Sequence, residues 1–281
     1  METKLKTKIM TRIPMQLIIA ILSLNFFSFQ SAFGAIPSEK TVLARMARNG
    51  GKGTYSIDQE IQFRSMAEPL VLREHWVVSD GESLRLIVTS PKSATDPIYF
   101  ENTYRDGKRV ALDAQGVNHS TPISSEFFEP FSHLRSRRGI LDVLTHSRIF
   151  NANSRTSLDE HVRLGRSNGV ITWIYGDATP IDAKKLNPMI WIEQDMFTLR
   201  RLRFPTQAEV SFDNILSFPN GLKLARDRTV TWDNNTVTIR VLAAKPTAES
   251  IAASAVSKAG ALKSTKLPEA GLVKEFYSRF R

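Results

Sequence analysis

The sequence predicts a mainly β (α+β) protein: an antiparallel meander of about a dozen strands with a few short helices inserted. Three observations predict it. From residue 54 onward, segment after segment alternates apolar and polar residues with a period of two. Between these segments lie Asp80-Gly81, Asp106-Gly107, Asn168-Gly169 and Asn220-Gly221, whose tolerance of positive φ suits tight antiparallel turns. Finally, no long helices alternate with the strands, as a parallel α/β sheet would require. The chain has 281 residues, 42% of them hydrophobic, which is enough for one sizeable core. No clear linker divides it.

The first segment is an address rather than structure. Lys4, Lys6, Lys8 and Arg12 precede a mostly apolar run over 17–29, and Ala32-Phe33-Gly34 supplies small residues two apart before Ala35. This reads as a secretory signal peptide over 1–34, cleaved near Gly34/Ala35. An uncleaved anchor is disfavoured, because the run falls short of the roughly 20 residues that span a bilayer. The chain is therefore expected in the periplasm of a Gram-negative cell.

Pro37-Ser38 then offers an N-cap, followed by Val42, Leu43 and Met46 at helical spacing, and Asn49-Gly50-Gly51 ends that helix. Over 54–64, Tyr55, Ile57, Ile61 and Phe63 share one face while Ser56, Asp58, Glu60 and Gln62 share the other. Further strands are expected at 70–79, 83–90, 98–105 and 108–113. The series resumes at 161–166, 170–175, 189–194, 197–204, 209–217, 222–232 and 236–244. Two short helices interrupt it: one around Phe127, Phe128, Phe131 and Leu134, restarted by Pro130, and one begun by Gly139 with Ile140, Val143 and Leu144. An alanine- and serine-rich helix at 248–261 and an amphipathic tail with Val273, Phe276, Tyr277 and Phe280 close the chain.

The chemistry is sparse. With no cysteine, a disulfide framework, a thiolate metal site, a cysteine nucleophile and a lipidated N-terminal cysteine are all excluded. Among the five histidines, His146 has an acid, Asp142, four residues away on a predicted helix, and no metal-binding pattern accompanies them. Gly50-Gly51-Lys52-Gly53 fails as a phosphate loop, since Met46 and Gly53 stand where glycine and a hydroxyl residue belong. No G-x-S-x-G elbow is present, and the carboxylate pairs Glu126/Glu129 and Asp159/Glu160 are of a kind expected by chance. No enzyme, metal or cofactor is called for. The formal charge of +10 gathers at Arg135, Arg137 and Arg138, at Arg200, Arg201 and Arg203, and around Lys223, Arg226 and Arg228. Export argues against nucleic acid as the partner. A solvated sheet face is the plain reading, and transient contact with an anionic membrane surface is the functional one.

The insert carries the sharper expectation. Phe127, Phe128, Phe131, Leu134, Ile140 and Leu144 concentrate apolar surface where a curved sheet would need either a plug or a ligand. They are read as the lid or lining of an acyl-chain cavity, with an ordinary plug as the alternative.

Met189-Ile190-Trp191-Ile192-Glu193-Gln194-Asp195, followed by Phe197-Thr198-Leu199-Arg200, forms a W-I-E-x-D-x-F-x-x-R hairpin before a final meander through Pro219-Asn220-Gly221 to Trp232 and on to 237–242. In this pattern the chain resembles the LolA/LolB-like superfamily of envelope lipoprotein carriers. The resemblance implies an open antiparallel half-barrel of about 11–12 strands, its inserted helices covering an apolar concavity that holds acyl chains. Its organisation would be a signal peptide at 1–34, a half-barrel domain at 35–246 and a helical tail at 247–281. The implied function is that of a periplasmic carrier or sensor for a lipid or an acylated lipoprotein. Lacking cysteine, the chain cannot be a lipidated acceptor like LolB. Two other readings are an envelope interaction protein with a plugged cavity, whose C-terminal helix docks on a protein partner, and a hydrolase with residues scattered over loops.

Overall fold

A computed structural model of the chain describes residues 36–65, 69–79, 83–90, 98–112, 118–150, 162–177, 181–182, 185–248 and 271–281. The expected leader at 1–34 lies outside these residues, as does all but the first residue of the helix expected at 248–261. A helix α1 (Glu39–Ala47) precedes the strands β1 (Tyr55–Phe63), β2 (Leu70–Val78), β3 (Leu84–Thr89), β4 (Tyr99–Arg105), β5 (Lys108–Leu112) and β6 (Asn118–Pro122). A 3-10 turn η1 (Glu129–Ser132) and helix α2 (Arg137–His146) follow. Next come β7 (Val162–Ser167), β8 (Val170–Tyr175), β9 (Met189–Glu193), β10 (Leu199–Arg203), β11 (Glu209–Ser217), β12 (Lys223–Trp232) and β13 (Asn235–Pro246), and then helix α3 (Leu272–Arg279).

All strands join one open antiparallel sheet in the order β6-β5-β4-β3-β2-β1-β13-β12-β11-β10-β9-β8-β7. The first and last strands pair at its centre, Tyr55 opposite Pro246 and Phe63 opposite Val237. Twelve strands correspond to the alternating segments of the sequence. The thirteenth, β6, was not expected, because Asn118-His119-Ser120-Thr121-Pro122 has no apolar face. It pairs with β5 through its backbone at the sheet edge, where one side is solvated and a proline is tolerated.

This topology explains why the helical insert sits where it does. β6 and β7 are the two edges of the sheet, yet they are successive in the chain. The segment between them must cross from one edge to the other, and its apolar residues turn onto the inward face. There Tyr55, Ile57, Ile61, Phe63, Leu72, Trp76, Leu86, Phe212, Val230 and Trp232 form one buried cluster with Phe127, Phe128, Phe131, Leu134, Ile140 and Leu144. α1 adds Val42, Leu43 and Met46 and is tied to α2 by Arg137, which donates to both Glu39 carboxylate oxygens at 3.1 and 2.7 Å. A Cβ at Gly50 would lie 2.5 Å from the Leu134 carbonyl oxygen, so only glycine lets this backbone touch the insert.

The tail joins the same core, within a compact unit that spans Ser38–Arg281. Its apolar face, which the alternative reading of an envelope interaction protein would dock on a partner, is turned inward. Phe276 stands edge-on to Phe63 at 5.5 Å, Tyr277 meets Phe100 at 4.8 Å and Phe280 meets Trp232 at 5.0 Å. Among the described residues, no helix is long and apolar enough to cross a membrane.

Candidate functional site

At inward register positions of the central strands the apolar alternation is broken by Gln59, Glu74 and Arg228. Gln59 on β1 faces Glu74 on β2, and Arg228 projects from β12 beside Phe128 of the insert. From opposite sides, Glu129 and His133 of the insert and Arg281 after α3 meet them. Arg228 donates to both Glu129 oxygens at 2.9 Å and also bonds Gln59. Arg281 donates to Glu74 at 3.1 and 3.2 Å and lies 3.3 Å from Glu129. Gln59 and the Trp76 indole N–H both donate to Glu74. The charged members, Glu74, Glu129, Arg228 and Arg281, balance two against two.

Burial alone would raise the Glu129 carboxyl, but Arg228, Arg281 and His133 together hold it well below the usual carboxylate range. Burial lowers His133 and outweighs the pull of Glu129, so the ring is neutral. The ring lies between the Glu129 carboxylate, 3.2 Å from Nε2, and the Tyr55 hydroxyl, 3.0 Å from Nδ1, and that hydroxyl donates its proton to the Gly50 carbonyl at 2.9 Å. This network is fully enclosed. It joins both halves of the sheet to the insert and the tail, and it offers no surface to a ligand.

The open feature lies above it. A cleft of about 510 Å³ is formed by the start of β3, the β4–β5 turn, the insert and α2. The turn is tight, with Asp106 and Gly107 at φ 51 and 70, and its Gly107 carbonyl accepts from the Ile123 N–H at 3.1 Å. α2 is capped by the Ser136 hydroxyl, which accepts from the Gly139 N–H at 3.0 Å. The helix divides its faces by spacing. Gly139, Asp142, Val143 and His146 recur at i, i+3, i+4 and i+7 and line the cleft, whereas Ile140 and Leu144 enter the core. Ile123, Phe127, Pro130 and Leu134 complete an apolar floor, and Arg105, Asp106, Asp142 and His146 form an ionic rim. Below the floor, Phe127 stacks on Tyr104 at 4.4 Å and Tyr104 on Trp76 at 5.8 Å, so an aromatic column separates the cleft from the buried network.

Of the six residues expected to form a lid or lining, Phe127 and Leu134 line this cleft. Phe131 borders a second void of about 20 Å³, room for roughly one water. Phe128, Ile140 and Leu144 are fully buried in the core and line neither. The remaining cleft residues are supplied by a turn and a helix face whose meeting cannot be read along the chain. Asp142 and His146, noted for their spacing, do share the cleft, but the His146 ring N–H bonds the Ile123 carbonyl at 3.1 Å.

The basic clusters are largely neutralised. Arg200 pairs with Glu193, and Arg201 and Arg203 both pair with Glu209. Arg228, read with the surface cations, lies in the core. Asp58 and His75 pair at 2.6 Å beside a 360 Å³ depression that also includes Ile87 and Leu242. No cluster of three or more His, Cys, Asp or Glu that could hold a metal occurs among the described residues.

No family model matches the chain, and no curated protein matches its sequence. Among solved structures it is similar to a LolA superfamily protein from Nitrosomonas europaea, at 10% identity over 75% of this chain and 94% of that one, with a TM-score of 0.48. It is also similar to a DUF1329 family protein from Desulfovibrio piger, at 11% identity over 75% and 92%, with a TM-score of 0.49. A third is a putative outer membrane lipoprotein-sorting protein domain from Vibrio parahaemolyticus, at 12% identity over 74% and 91%, with a TM-score of 0.44.

Proposed function

We propose that this chain is a non-catalytic carrier or sensor of the periplasm that holds an acylated ligand, a lipid or a lipoprotein anchor, in the cleft over Phe127 and Leu134. The observation that carries this reading is the cleft's composition: an apolar floor beneath a polar rim that includes the ion pair of Arg105 and Asp106. An amphiphile has that same division. Its chain would displace water from Ile123, Phe127, Pro130, Leu134 and Val143, while its polar end stays at Arg105, Asp106 and His146. Burying about eight methylenes would contribute roughly 6 kcal/mol before association costs are subtracted. That is enough to retain a chain and still release it.

The test is direct. Purified from a bacterial envelope without detergent, the full chain should show a discrete lipid-sized adduct by native mass spectrometry, and extraction should release an acylated molecule. Val143→Glu places a charge on the cleft wall, at a residue only partly buried against the core, and should lose the adduct at temperatures where the variant is still folded. The reading fails if the wild-type chain is clean and added phosphatidylglycerol neither binds nor shifts melting.

A further inference from the structure

The tail is held differently from the rest of the core. The described backbone hydrogen bonds of α3 stay within its own segment, from Glu275 N–H to the Gly271 carbonyl and from Phe280 N–H to the Phe276 carbonyl, so undocking it breaks no sheet ladder. Chain connectivity does not impose its position either. β13 ends at Pro246 beside Tyr55, at one end of β1, while Phe276 packs on Phe63 at the other. That gap is about 27 Å at ~3.3 Å per residue, whereas the stretch of about 25 residues between Pro246 and Leu272 can reach roughly 80 Å.

What seats the tail is recognition chemistry. The Arg281 guanidinium is bonded by Glu74, faces Glu129 and lies over the rings of Phe128 at 4.7 Å and Trp76 at 5.5 Å. Phe63, Phe100 and Trp232 receive its aromatic side chains. Arg109 donates to the Tyr277 and Arg281 carbonyls at 3.1 and 3.2 Å, placing a cation at the helix C-terminus. Glu129 has Arg228 as a second cation, but the donors to Glu74 other than Arg281 are the neutral Gln59 and Trp76. A vacated groove would therefore present aromatic walls and a carboxylate in need of a cation. That carboxylate disfavours an acyl chain and favours a guanidinium.

We propose that α3 and Arg281 act as an internal ligand, a tethered plug that docks reversibly in a groove built to bind an aromatic amphipathic helix followed by an arginine. The same groove then accepts such a helix from a partner protein once the plug has left. This site is distinct from the lipid cleft and does not depend on it.

The probe is a fluorescent peptide of residues 271–281, titrated into the full chain and into its Phe280→Ser/Arg281→Gln variant. The wild-type chain competes with itself through the tether, so the variant should bind the peptide at least tenfold more tightly. Glu74→Gln added to the variant, or Arg281→Gln in the peptide, should weaken binding about tenfold. Absence of binding to the folded variant overturns the proposal, as does displacement of the peptide by palmitate but not by unlabelled peptide. Hydrogen exchange on the wild-type chain decides independently of any variant. Amides of 275–280 should exchange at least tenfold faster than those of β1 and β12, and equal protection would mean that the tail opens only when the sheet unfolds.

Discussion

Glu129 and His133 make the stability of this molecule depend on pH in one direction. His133 is lowered from 6.5 in the fold, so the unfolded chain takes up its proton first and stability falls as pH drops below about 6.5. Glu129 is held below its ordinary 4.5, so its contribution is present above that value and is lost as pH falls further. The melting temperature should therefore decline in two stages on acidification. In His133→Gln, whose amide still donates to Glu129, the upper stage should disappear while the lower remains. An unchanged upper stage in calorimetry would assign that titration elsewhere. Two members of this network leave a mark in the sequence, although neither was singled out there: Gln59 falls on the apolar face of an alternating strand, and Glu74 interrupts another. Alternation reveals which face a residue occupies but not what arrives from across the core. For that reason Arg228 read as one more surface cation, and Arg281 did not stand out at all.

The same limit governs the elements. α2 was legible as a helix, but its division of labour depends on the β4–β5 turn that meets one of its faces. Leu144 and Val143 are adjacent in sequence and point to different tasks: Leu144 is fully buried, while Val143 borders the cleft. Leu144→Ala should cost about 2–5 kcal/mol in chemical denaturation by opening a core cavity, whereas Val143→Glu, at a residue only partly buried against the core, should cost less and act mainly on the ligand. Equal destabilisation by both would mean that the cleft wall is part of the core. Strands with an apolar face were found by their period, and β6 was missed because an edge strand held by its backbone needs none. The arginines of β10 formed a cluster along the chain, but across the sheet Arg203 stands opposite Glu209. Lateral neighbours convert an apparent basic patch into ion pairs.

At the scale of the whole molecule, the decisive contact is between the ends of the meander. β1 and β13 pair over their lengths, with Tyr55 opposite Pro246, and without that seam the sheet would be one wing of six strands and one of seven. The buried charges lie across the same seam: Gln59 and Glu74 belong to one wing, Arg228 to the other, and Glu129 of the insert is bonded to Arg228 and close to Arg281. Neither wing can satisfy its inward polar residues alone, and an unpaired buried charge costs several kcal/mol. Folding should accordingly wait for the last strand, with the slow kinetics of non-local pairing. A chain ending after Asp233, and so lacking β13 and α3, should be digested throughout by a nonspecific protease under conditions in which the full chain resists. A resistant fragment spanning β1–β6 would show instead that the first wing folds by itself, and that the seam joins two finished halves rather than creating one core.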